Sequence, residues 1–447
     1  MKGKTILMLA VLSTVPFIMV LGNSMLIPVL PQMQQKLGIS QFQAGLVISM
    51  FSIPAGIVIP FAGFLSDRIG RRQIIVPSLI IYGIGGLIAG TAALLLDKAY
   101  WVIIAGRIVQ GIGAAGTAPV AMALVGDIFT SKERSKALGY IEAANGLGKV
   151  ISPVLGSLIA VVTWYAAFFL FPLFTIPIAI AVWYMIKEPV SQNKKQSIGQ
   201  YLNSIMVIFK NKAFFLLTAF MVGSLALFLL FGILFFLSDY LESTLKLFGV
   251  KKGLVLAIPV LFMSSISFVT GNLIKKKVAL MKKLVIAGLS VITLTLGILP
   301  FLKNPWLDVG VMSATGIGVG LILPCLNTLI TSSTSVKERG MVTSLYGGAR
   351  FFGVAGGPPV FGFLNHFGRS VMFWSSAGAA LLFGLICIAA LPSKATADSD
   401  TEQKETGNEQ DKRWSSVFFE TITFRNTIGR LVTRKPLPDE DNENRGK

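Results

Sequence analysis

The stretch GFLSDRIGRR, Gly63 to Arg72, separates two apolar runs that are each long enough to span a bilayer. Four charges, Asp67, Arg68, Arg71 and Arg72, crowd this short gap, so it faces water on the side where positive charge accumulates. Gly63 and Gly70 allow a tight turn. Asp67, set among three arginines, is a partner for charges or helix ends that approach from elsewhere.

Working outward, the composition agrees. The chain has 447 residues, of which 53% are hydrophobic and 14% charged, and its mean hydropathy of +0.72 is too high for an ordinary soluble domain. Its apolar residues fall into runs of bilayer length at 5–30, 42–65, 74–96, 100–125, 137–162, 164–186, 213–238, 253–274, 283–302, 305–331, 340–365 and 370–391. The fold class expected is therefore an all-α polytopic membrane protein, with twelve spans in two six-helix bundles. The bundles are 1–186 and 213–391, joined by a polar linker, 187–212, and followed by a tail, 392–447.

Charge sets the orientation, because lysine and arginine of short loops stay in the cytoplasm. Loops on the side of Gly63 to Arg72, together with the N-terminus, hold 20 basic residues, against seven on the other side: Lys36, Lys98, Lys246, Lys251, Lys252, Lys303 and Arg369. Both termini are expected in the cytoplasm and the protein in the plasma membrane. The tail carries 10 basic and 11 acidic residues, so the net charge of +19 belongs to the membrane part and reports topology, not nucleic-acid binding. Its aromatic and basic segment, WSSVFFETITFRNTIGRLVTRK, suits the inner leaflet or a partner protein. Cys325 and Cys387 are scattered and the lone His366 sits at a helix end, so neither a disulfide framework nor a metal site is expected.

Polar residues inside spans mark the working parts. The first span ends in LGNSMLIPVLP, where Asn23 precedes two prolines that bend the helix. In the fourth, Arg107 and Gln110 share a face, with Arg107 roughly 10 Å below the outer end; Asp127 closes that span at the cytoplasmic face. The fifth carries Glu142, Asn145 and Lys149 on one face, with Glu142 about 9 Å and Lys149 about 20 Å from the inner edge. Glu142 is the one carboxylate placed well inside the core. Burial raises a carboxyl pKa toward the physiological range, which makes Glu142 the candidate proton carrier.

A shift of 205 residues superposes Gly111 on Gly316, Gly113 on Gly318, Pro119 on Pro324, Lys132–Arg134 on Lys337–Arg339, Gly148 on Gly353 and Pro153 on Pro358. Glycine and proline are chosen for conformation, so the two halves repeat one backbone. Internal repeats of this kind belong to transporters that bind cargo between their halves. Arg350 then falls on the repeat position of Asn145, and Arg107, Lys149 and Arg350 face a single Glu142. An anionic cargo with an apolar body is expected to share that space. Phe228, Phe231, Phe235 and Phe236 of the seventh span offer it an aromatic wall.

Four stretches resemble the major facilitator superfamily, and within it the twelve-span drug:proton antiporters. The signature loop G-x-x-x-D-R-x-G-R-R is matched in full at Gly63, Asp67, Arg68, Gly70, Arg71 and Arg72, and L-G-x-x-x-x-x-P-V-L-P in full from Leu21 to Pro31. The motif R-x-x-Q-G is met at Arg107 and Gln110. The antiporter pattern G-x-x-x-G-P-x-x-G-G is met at Gly148, Pro153 and Gly156, with Ser152 and Ser157 replacing two glycines. The resemblance implies proton-coupled export of small amphipathic molecules, with the proton gradient in place of any cofactor. It implies a role for Arg107 in coupling, and a latch from Asp127 to Arg71 or Arg68 that holds the halves outward-facing. The loop 271–277 lacks the signature aspartate, so only the first half carries a complete latch. A dedicated exporter of an acidic metabolite or siderophore is the alternative, and a non-transporting receptor or scaffold the remote one. No nucleophile–base pair, metal cluster or phosphate loop supports an enzyme. The partners expected are a small molecule and membrane lipid, with no nucleic acid, and the protein is expected to be a monomer.

Overall fold

The computed structural model describes residues 3–129, 131–186, 188, 198–274, 277–334 and 339–392. Residues 1–393 form one compact unit. Residue 130, the linker at 187 and 189–197, Lys275 and Lys276 of the 271–277 loop, 335–338 with Lys337 and Glu338 of the second repeated triplet, and the tail from 393 lie outside the described residues.

Every described element is helical: α1 (Gly3–Ser24), α2 (Leu30–Leu37), α3 (Gln41–Ile69), α4 (Arg71–Leu95), α5 (Tyr100–Ala115), α6 (Ala118–Ile128), α7 (Ser131–Ala160), α8 (Ala166–Met185), α9 (Ile198–Ser243), α10 (Gly249–Ile274), α11 (Val278–Ile298), α12 (Pro305–Ser332), α13 (Arg339–His366) and α14 (Arg369–Ala390), with 3₁₀ turns at Ile27–Val29 and Leu299–Phe301. Among the described residues, eleven spans are long and apolar enough to cross a membrane. Helix α13, eleventh in chain order, completes the twelve. Its 28 residues reach far enough, but Arg350 and a run of glycines lower its hydropathy, and it packs between α3 and α9.

Local chemistry sets the breaks. The first span interrupts at Leu26–Val29, where Pro28 and Pro31 cannot donate to the helix ladder. The fourth span divides into α5 and α6 at Gly116 and Thr117. Ser40 and Gln43 cap α3 reciprocally. Gly70, between α3 and α4, has φ +112°, which only glycine adopts without strain. From Ile198 the linker is already helical, and it meets the seventh span at a kink on Lys212.

The repeat appears as equivalent contacts. A Cβ on Gly111 would strike the Phe51 carbonyl of α3, and one on Gly316 the Pro259 carbonyl of α10. Gly113 is pressed against α4 at Tyr82, and Gly318 against α11 at Gly288. Gly148 meets Phe17 of α1, and Gly353 meets Ser224 of α9. In each half the fourth helix therefore packs on the second and third, and the fifth on the first.

Two seams join the first six spans to the last six. Along α3, Gly45, Ser49, Gly56 and Gly63 meet Pro359, Ala355, Gly348 and Ser344 of α13. On the other side Gly253 of α10 sits against Pro153, Val154 and Ser157 of α7. Small residues let these backbones approach closely.

Candidate functional site

Between the seams lies a cavity of 1830 Å³. It reaches from Asn23 and Met263 in the middle of the bundle to Asp67, Arg134 and Arg339 at the end that carries Gly63 to Arg72, called here the loop end. Its deep part is apolar, with Phe51, Leu230, Phe231 and Val260. Among the described residues lining it are seven cations, Arg68, Arg71, Arg72, Arg134, Lys149, Arg339 and Arg350, against four carboxylates, Asp67, Asp127, Glu142 and Glu188.

One face of α7 presents Glu142, Asn145 and Lys149 to this space, as their spacing requires. Arg350 arrives from α13, its guanidinium 4.8 Å from the centre of the Tyr346 ring. Lys149 lies within electrostatic reach of both Glu142 and Arg350. The buried Nε of Arg350 and Oδ1 of Asn145 have no hydrogen-bond partner in the protein. Cations from the two halves thus converge, and Arg350 brings an unused donor.

Glu142 differs from its expectation. It is exposed and lines the cavity rather than being enclosed. Among the described residues the carboxylates that are enclosed are Asp308, 1% exposed, and Glu242, 8% exposed, at the far end. The aromatic wall is also smaller than expected. Only Phe231 of the four lines the cavity; Phe228 packs on Phe361, Phe236 on Tyr240 and Phe373, and Phe235 is buried.

Arg107, Gln110 and Asn23 come together, but behind the wall. Arg107 is 0% exposed. Its Nε donates to the Val47 carbonyl (2.9 Å), Nη1 to Gln110 Oε1 (2.7 Å) and Nη2 to Asn23 Oδ1 (2.7 Å). The guanidinium lies 4.4 Å from the Phe51 ring centre. Asn23 in turn donates to Ser52 Oγ at 2.7 Å. This network ties α1, α3 and α5 and touches the cavity through Asn23 and the Phe51 ring.

At the loop end Arg71 pairs with Asp67 and with Asp127, the latter at 3.1 Å, and donates to Ser66 Oγ at 2.7 Å. Every one of these groups belongs to the first six spans, so in this conformation they bind α3, α4 and α6 to each other and not half to half. Arg68 lies over Phe64. Arg72 bonds the carbonyls of Trp183 and Ile186 and stacks 4.8 Å from the Trp183 ring centre. Gly63 of the signature loop meets the other half, at Ser344 of α13.

Two groups, one at each end, were not signalled by the sequence. Glu188, in the linker to which no chemistry was assigned, accepts from the backbone N–H groups of Arg71 (2.5 Å) and Arg72 (3.1 Å). It caps α4 where the helix dipole favours an anion, and a Cβ on Gly70 would meet its carboxylate. Lys252, read from sequence as a loop charge, is 3% exposed. It sits at the far end, which is shut. There Gln41 Nε2 donates to Asp239 Oδ2 (3.2 Å), Asn365 Nδ2 to Gln41 Oε1 (3.2 Å) and Ser238 Oγ to the Ile27 carbonyl (2.9 Å). Tyr240 and Arg369 hold Asp308. The signal for this closure was the proline pair of the first span, read only as a bend.

The packing motif of α7 has two faces. Gly148 and Gly156 meet Phe17 and Met25 of the first span, while Pro153 meets α10; Pro358 lies beside Gly45 of α3.

Comparison with known proteins bears on this arrangement. A model described as Major Facilitator Superfamily matches residues 12–353 and 282–432. The Bacillibactin exporter of Bacillus subtilis (strain 168) is 41% identical over 373 residues, 83% of this chain and 93% of that protein. Multidrug resistance protein 2 of the same organism is 32% identical over 185 residues, 41% of this chain and 45% of that one. Among solved structures, a bacterial homologue of the human lysosomal transporter Spinster, inward-facing and unoccupied, superposes with a TM-score of 0.71 at 16% identity, covering 87% of this chain and 96% of its own. The human organic anion transporter MFSD10 (TETRAN) gives 0.64 at 19% identity, covering 87% and 100%.

Proposed function

The chain belongs to the major facilitator superfamily, and on that premise we propose that it exports small amphipathic molecules with an acidic group, driven by protons that enter as cargo leaves. It is a multi-pass membrane transporter of the exporter kind and not an enzyme. The loop end is the cytoplasmic end by the balance of basic residues, both termini lie there, and the monomer in the plasma membrane is the working unit. The halves 1–186 and 213–391 rock about the cavity.

The observation that carries the reading is the convergence of Lys149 and Arg350, one from each half, in a cavity that opens at the loop end and is shut at the other. An acidic head satisfies the idle Nε of Arg350 and balances the excess of cations, and the apolar floor takes the body. Bacillibactin is the first cargo to test, since the relative of that name matches over nearly its whole length. The likeness to Multidrug resistance proteins 1 and 2, over 49% and 41% of the chain, favours a second reading in which apolar drugs use the Phe51–Phe231 floor.

Glu142, exposed to the cavity beside Lys149, is the proton carrier in this scheme. In proteoliposomes under an imposed pH difference, Glu142→Gln abolishes pH-driven export and leaves cargo exchange without a gradient intact. Loss of exchange as well, or no change in either, overturns this role. Equal transport of lipophilic cations and acidic analogues overturns the cargo class. A receptor or scaffold requires the opposite pattern, with function lost on deletion of 392–447 and unaffected by Glu142→Gln.

A further inference from the structure

Lys252 is a cation 3% exposed, and a charge so enclosed survives only with partners. It has two. Glu242 Oε2 lies at 2.7 Å, and the backbone carbonyl of Pro28 at 2.9 Å. Glu242 comes from the same six spans as Lys252, whereas Pro28 belongs to the first span, on the opposite half.

The carbonyl is presented because of the proline pair. Pro31 has no N–H to give Ile27, so the chain tightens to a 3₁₀ turn in which Leu30 N–H returns to the Ile27 carbonyl. The turn shows successive carbonyls to the other half: Ser238 takes that of Ile27, and Lys252 that of Pro28. Packing holds the lysine at this point. Gly253, the next residue, is pressed on Pro153 and Val154 of α7, and Gly156 of α7 is pressed on Met25 and Pro28. Opening the far end must part α10 and α9 from the first span, and so must pull the ammonium from Pro28.

We propose that Lys252 is the residue that locks the far end shut, with Glu242 as its positioning residue and the proline turn of the first span as the keyhole. The design solves an energetic problem. Lys252 and Glu242 move together, so opening breaks one hydrogen bond to a neutral carbonyl and leaves no charge without its counter-ion. A salt bridge between halves would leave two. The inference depends on the rocking of the halves but not on the cargo or on proton coupling.

The test follows distance rather than transport. Spin labels at Gln35→Cys and Ser243→Cys, both exposed positions on opposite halves at the far end, report its opening by double electron–electron resonance in nanodiscs without cargo. The parent protein gives one short distance. Lys252→Met raises the share of a longer distance about tenfold or more, the weight of a charge-assisted hydrogen bond. The double variant Lys252→Met with Glu242→Gln, which strands no carboxylate, does the same while running as a folded monomer. An unchanged distance in the folded double variant overturns the proposal, because the small-residue seams alone would then hold the end shut. A longer distance at the far end that never appears in any condition, transport intact, overturns rocking itself.

Discussion

Arg107 shows how a residue gains several partners that its sequence neighbours do not reveal. Three acceptors from α1, α3 and α5 converge on one guanidinium, and Phe51 covers its face. Arg107→Ala therefore leaves buried acceptors unpaired and lowers stability by about 2 kcal/mol or more, seen as a lower midpoint in thermal unfolding of the purified protein. Arg107→Lys keeps the charge but cannot fork to Asn23 and Gln110 together, so it falls between the two. The sequence placed Arg107, Gln110 and Asn23 among the polar residues of the interior correctly, because polarity inside a span is legible. That Arg107 and Gln110 lie behind the cavity wall was not legible, since it is decided by Val47 and Asn23 of other spans. Glu188 was unreadable for the same reason. Nothing near it in sequence announces a helix start 117 positions earlier.

At the scale of elements, glycine position separates packing from permissiveness. A Cβ at Gly156 would strike the Met25 carbonyl, and one at Gly353 the Ser224 carbonyl; neither backbone can yield without parting two helices. Gly139 of the same helix α7 has nothing near it. Gly156→Ala and Gly353→Ala thus lower the yield of folded protein and its thermal midpoint, while Gly139→Ala stabilises by up to about 1 kcal/mol through helix propensity. A fluorescence-detected melting series on the three variants checks the order. Spacing along the chain made the packing glycines visible, because the shift of 205 matched Gly148 to Gly353 before any contact was known. The eleventh span was harder to see as a span by apolarity. Arg350 and its small residues suit a helix enclosed by α3 and α9, and hydropathy measures fitness for lipid and not for enclosure.

Across the whole molecule, charge legible as a count becomes meaningful as a place. Arg107, Lys149 and Arg350 are all inside, yet one serves the scaffold of the first half while the other two meet across the cavity from different halves. An acidic group held between Lys149 and Arg350 links the two halves, so its binding energy depends on their relative position, which is what a cargo-dependent rocking step requires. Replacing either cation should therefore weaken the acidic cargo about tenfold or more, as loss of a charge-assisted bond does. The pair should also be coupled. Once Lys149→Met has freed one side of the acid, Arg350→Met costs less than it does in the parent, because an acid no longer spanning the cavity gains little from a single arm. A double-mutant cycle on transport affinity in proteoliposomes reads this directly, with a neutral amphiphile of the same apolar body as control. Its affinity should stay near that of the parent in all three variants. Additive losses for the acid would place the two cations on separate subsites, and equal losses for acid and neutral cargo would return both residues to the scaffold.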